Sequence, residues 1–166
     1  MPGCIALALL MAATAGISAH VRLDPNDGAI LPADIAKELL KQCSREAPHD
    51  VTGMWIPKGR DIRELEARLP AALEAMALQR GNQFAQLTNF QRQYAGFVIH
   101  DRKIVYVNAF PHGTGDPDPK ATLPWRRTFD WHRNIIQVCD GGPAFFGVEY
   151  DPAKKSFDHF EFNGIP

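Results

Sequence analysis

The sequence predicts an α+β domain, an antiparallel sheet of about four or five strands packed on one main helix and a short N-terminal helix. Three observations carry this. Ile62, Leu65, Leu69, Leu73 and Met76 recur at three- and four-residue spacing, the period of one helix face. Two later stretches, Tyr94–Phe110 and Ala144–Asn163, are rich in aromatic and β-branched residues and are split by turn residues. Helical patterns come first and strand patterns afterwards, the order of α+β rather than of alternating α/β chains.

Size and composition agree. The chain has 166 residues, 45% of them hydrophobic and 22% charged, enough for one domain with a real core. Its net charge of −1, with Lys and Arg scattered, supplies no field to draw in nucleic acid or an anionic membrane. Thirteen Pro and thirteen Gly indicate many loops.

Residues 1–19 read as a secretory leader, although no Lys or Arg precedes the apolar run. Cys4–Met11 is too short to span a bilayer, small residues follow it, and cleavage is expected after Ala19. A single domain over 20–166, periplasmic or secreted and without a membrane span, is then expected. Removal of the leader leaves Cys43 and Cys139, and an even pair in an exported protein suggests one disulfide. Closing so long a loop is worth about 3–5 kcal/mol. The alternative is two separate buried thiols.

The elements follow in order. Asp24-Pro25-Asn26-Asp27-Gly28 is a turn cluster rather than a calcium loop, since the Gly comes a position early and no closing Glu follows. Pro32–Arg45 is expected to be helical, with Ile35, Leu39, Leu40 and Cys43 on one inward face. Ala47–Gly59 is expected to be irregular and anchored by Trp55 and Ile56. The main helix runs Arg60–Gln79, with Asp61 at its start, Gly81 as its stop and a kink or break at Pro70. Tyr94–Ile99 and Ile104–Phe110 pair around Asp101-Arg102, with both faces apolar. Phe97, Ile99, Ile104 and Tyr106 would share one face, and an uncovered face would leave room for a homodimer. Asn134–Cys139 is β-branched and expected to be a strand. Ala144–Asp151 and Ser156–Asn163 make a hairpin around Pro152–Lys155.

Between the sheet segments lies Pro111–Arg133, a connection long enough to be functional or mobile. Trp125, Arg126, Arg127 and Trp131 are its candidate binding residues, because Trp and Arg dominate contact surfaces. The alternative is that Trp125, Phe129 and Trp131 close one end of the core.

Catalytic patterns are weak. Cys139 before Asp140-Gly141-Gly142 could act as a nucleophile with His132, His100 or His159 as base, but the disulfide would consume its thiol. His112, Asp116, Asp118, Asp130 and His132 share one stretch without metal-ligand spacing. Glu149, Asp151, Asp158 and Glu161 alternate as solvent-facing strand residues, with no two singled out as a hydrolytic pair. Gly113-Thr114-Gly115 lacks the lysine and helix of a phosphate loop, and no cofactor motif is present. The expected function is therefore a non-catalytic binding or inhibitor-type module contacting an envelope component or protein partner. The alternative is a small hydrolase using Cys139 with a histidine.

Three strings carry a resemblance: Tyr106–Pro111 (YVNAFP), Val138–Asp151 with Phe160–Gly164 (VCDGGPAFFGVEYD and FEFNG), and Trp55, Pro57, Asp61, Ile62, Leu65 and Glu66. In these the chain resembles a family of small secreted or periplasmic bacterial α+β proteins. The resemblance implies one exported domain and transfers no catalytic residues. At the level of fold alone, a sheet curled around one helix is similar to cystatin and nuclear-transport-factor-like proteins.

Overall fold

The apolar stripe forms the helix it predicts. In the computed structural model, which describes residues 27–81 and 86–165, that helix (Gly59–Gln79) buries Ile62, Leu65, Leu69 and Leu73 completely. The Lys58 N–H donates to Asp61 Oδ2 at 2.9 Å, so the first turn is capped by the carboxylate at its third position. Pro70 does not break the helix. Its side chain is exposed, which places the missing N–H on the solvent side.

The chain is α+β. In order, the elements are β1 (Gly28–Ile30), α1 (Ala33–Ala36, continued by a 3-10 turn to Lys41), β2 (Val51–Trp55), α2 (Gly59–Gln79), β3 (Phe90–Ile99), β4 (Arg102–Pro111), β5 (Phe146–Asp151) and β6 (Ser156–Phe162). They build a six-stranded sheet ordered β1-β3-β4-β5-β6, with β2 also on β3. β1 is parallel to β3, so the sheet is mixed rather than wholly antiparallel.

α2 covers one face, over Phe90, Tyr94, Val105, Val107, Phe146, Val148 and Tyr150. The opposite face packs Phe97, Ile99, Ile104 and Tyr106 under Leu31, Ala36 and Leu39, and Phe110 under Trp131 and Ile136. Both sheet faces are thus covered within the chain among the described residues, without a second copy.

Several expectations are corrected. The N-terminal helix stops at Lys41, and Gln42 is extended, because the chain must turn there to carry Cys43 and Arg45 back to the sheet. Cys43 is consequently exposed rather than inward-facing. Val51–Trp55 is a strand, and Ile56, expected as an anchor, is 67% exposed. The β3–β4 turn is His100-Asp101, both at positive φ (46° and 60°), one residue before the expected Asp101-Arg102. The pairing moves by an even number of residues, so the side chains keep their expected faces. Asn134–Cys139 is not a strand, for a reason that belongs to the site. The expected leader lies outside the described residues, as do Asp24–Asn26. Among the described residues no helix is long and apolar enough to cross a membrane.

Candidate functional site

The segment 131–140 lies across the sheet face instead of joining its edge, and side chains rising from the sheet meet its backbone. Gln93 Nε2 donates to the Trp131 and Asn134 carbonyls at 2.5 and 2.7 Å, and Gln93 Oε1 accepts the Ile136 N–H at 3.1 Å. Asn108 Nδ2 donates to the Ile136 carbonyl at 2.8 Å and to Gln93 Oε1 at 2.9 Å. Asn163 Nδ2 donates to the Val138 and Asp140 carbonyls at 2.7 and 2.8 Å. Arg45 donates to Tyr106, Asn108 and Asn163 and so ties these amides together. Satisfied side chains replace the ladder a strand would have used. The Cys43–Cys139 disulfide, with Cα atoms 4.9 Å apart, closes the same segment onto the end of the N-terminal arm.

This frame separates the four candidate binding residues. Trp131 is 3% exposed and meets Phe110 edge-on at 5.6 Å, so its ring belongs to the core. Trp125 is 59% exposed on the 3-10 turn Pro124–Arg127 and meets Phe129 edge-on at 6.0 Å. Leu123 beside it is 51% exposed. Arg126 and Arg127 are also exposed. Arg127 Nε donates to the Ala121 carbonyl at 2.8 Å, and the Asp118 N–H donates to the Arg126 carbonyl at 2.9 Å. The loop is therefore held by its own backbone while presenting Leu123, Trp125 and Arg126 outward. A groove of about 240 Å³ runs beside Trp125 and Phe129, walled by Ile135, Ile136 and Val138.

Sγ of Cys139 is bonded to Cys43, so the oxidised protein offers no thiolate there. His132 stacks on Trp131 at 4.0 Å, and its Nδ1 lies 2.9 Å from Asp130 Oδ1. That hydrogen bond, with a second from the His132 N–H, holds the Asp130 carboxyl below the usual range. His112, Asp116, Asp130 and His132 line one cleft of about 510 Å³, yet among the described residues no three His, Cys, Asp or Glu side chains are placed to share a metal ion.

Two of the acids expected to face solvent do not. Glu149 and Asp151 are 8% and 7% exposed because β5 lies between β4 and β6. Asp151 accepts the Ala153 and Lys154 N–H groups and pairs with Arg102 at 3.2 Å. Glu149 faces His159, with Nδ1 to Oε2 at 3.2 Å, and this bond raises the His159 pKa. His159 sits at φ 46° where the β5–β6 register slips, so a bulge aims it at Glu149. No local sequence signal marks that bulge. Nor does any mark a wider cleft where both hairpin turns meet the start of α2, lined by Trp55, Ile56, Lys58, Lys103 and Lys154.

Compared with protein-family models, curated proteins and solved structures, the chain matches none. The resemblance to a secreted bacterial family therefore rests on its quoted strings alone.

Proposed function

We propose that the protein is a non-catalytic, exported binding module whose turn Leu123–Arg127 contacts an envelope component or protein partner. The observation that carries the reading is Trp125. A large aromatic side chain stays 59% exposed on a loop held by its own hydrogen bonds, with Arg126 and an apolar groove beside it. Leu123 is exposed next to it, and apolar side chains grouped on a surface mark contact sites where singly scattered ones do not. Export is supported by the disulfide, since such bonds persist in oxidising compartments.

The test is capture from envelope extracts on immobilised protein, comparing the unaltered chain with Trp125→Ala and Arg126→Ala. A partner retained by the unaltered chain and lost by both variants, each melting as before, supports the reading. Equal retention by the variants removes the turn from the contact surface.

A further inference from the structure

The turns at His100-Asp101 and Pro152–Lys155 stand side by side at the end of the sheet away from Trp125, next to the first turn of α2. Between them and the end of β2 is a cleft of about 810 Å³. That volume lies in the range of about 300–1,000 Å³ usual for small-molecule sites.

Part of its lining is apolar and fixed. The Trp55 indole N–H is shared between the Phe97 and Ile104 carbonyls, each at 3.1 Å, so the ring cannot swing away. Ile56 follows it, 67% exposed. The rest is charged and unbalanced. Lys58, Arg60, Arg102, Lys103 and Lys154 face three carboxylates, Asp61, Asp101 and Asp151. Two of those acids are already engaged. Asp61 accepts the Lys58 N–H and lies 3.4 Å from Arg60; Asp151 accepts two N–H groups of its own turn and pairs with Arg102. Lys58, Lys103 and Lys154 belong to none of the ion pairs among the described residues. Lys103 Nζ lies 5.3 Å from the Trp55 ring centroid. Three lysines outside those ion pairs, against the one remaining carboxylate of Asp101, thus line the cleft beside an exposed aliphatic side chain and an aromatic wall and leave it with an excess of positive charge.

We infer that this cleft binds a small amphiphilic anion, a phosphate or carboxylate head on an alkyl body. The ammonium groups would take the head by charge-assisted hydrogen bonds, and Ile56 with Trp55 the body. Lys103 already occupies ring area of Trp55, which favours an alkyl chain over a stacked base. This site is separate from the Leu123–Arg127 turn, and Trp125→Ala should leave it unchanged.

The experiment is calorimetric titration of the oxidised protein with octyl phosphate, octanol and inorganic phosphate. The Trp55 indole N–H is followed by NMR. Octyl phosphate should bind at least about tenfold more tightly than either control, and the Lys58→Gln/Lys154→Gln pair should weaken it by about tenfold or more at unchanged melting temperature. Ile56→Ser should weaken octyl phosphate while leaving inorganic phosphate as it was. Octyl phosphate binding no tighter than octanol or phosphate overturns the inference, and so does affinity indifferent to the two lysines. Sedimentation with phosphatidylglycerol vesicles without affinity for monomeric octyl phosphate also overturns it, in favour of a bilayer surface.

Discussion

Arg45 Nε donates to the Tyr106 hydroxyl at 3.0 Å inside the sheet face that α1 and the segment 131–140 cover. Its other nitrogens donate to Asn108 and Asn163, and it belongs to no ion pair among the described residues. A buried cation is held here by neutral oxygens, each of which would be orphaned without it. Arg45→Met should therefore cost about 3 kcal/mol or more in urea denaturation, at about 1–3 kcal/mol for each buried group left without a partner. Gly147 lies directly against the pair: a Cβ there would sit 2.3 Å from the Tyr106 hydroxyl and 2.5 Å from Arg45 Nε. Gly147→Ala should destabilise by breaking the same bond, and unchanged stability in both variants would show that the network is not holding the segment.

The disulfide joins residues 96 apart in sequence, and both cysteines are exposed. Cys43→Ser with Cys139→Ser should lower stability by about 4–5 kcal/mol through the loop entropy restored to the unfolded chain. Because the sulfurs lie at the surface, a phosphine reductant should open the bond without denaturant, read as alkylation by intact mass. Hydrogen exchange should then accelerate at Ile136, whose N–H bonds to Gln93.

Under α2, Glu66 Oε1 accepts from Arg92 Nε at 3.0 Å and from the Tyr94 hydroxyl at 2.6 Å, all three side chains being buried. Burial, and then the Glu66 charge, hold the Tyr94 pKa well above its ordinary value, so its hydroxyl remains a donor. Arg92→Met should cost about 3–5 kcal/mol by stranding the Glu66 charge, and adding Glu66→Leu should recover much of the loss. A double variant no better than the single in thermal denaturation would refute this account.

The His159–Glu149 hydrogen bond makes stability depend on pH. The folded pKa of His159 is raised above its ordinary value near 6.5, by that hydrogen bond first. The contribution is complete below the unfolded pKa and is lost as pH rises through the folded one. Denaturation midpoints should fall across that window, and His159→Gln should flatten the fall. Asp130 acts oppositely. Its lowered pKa gives stability above the ordinary carboxylate range, lost as pH falls through the folded value.

Trp125 and Trp131 should behave as different kinds of residue. Trp131→Ala removes a ring packed on Phe110 and Ile136 and should cost about 3–5 kcal/mol. Trp125→Ala should change stability by about 0.5 kcal/mol or less. Equal losses in chemical denaturation would place both in the core and remove the basis for a contact turn.

What the sequence by itself determined are the features set by near neighbours. The Ile62–Leu73 stripe becomes a buried helix face because residues three and four apart already share a side. The two hairpins form because alternation and turn residues are local, and two cysteines suffice for one disulfide once their pairing is geometrically open. What only the tertiary structure decided are the features in which distant residues stand in for local ones. Ile135-Ile136 looks like a strand, yet Gln93, Asn108 and Asn163 supply its segment with the hydrogen bonds a neighbouring strand would have given. Val51–Trp55 looks irregular, yet pairing with β3 makes it a strand. Trp125 and Trp131 have the same chemistry six positions apart. Phe110 and Ile136 roof only the second, and burial is a property of what the rest of the chain places overhead.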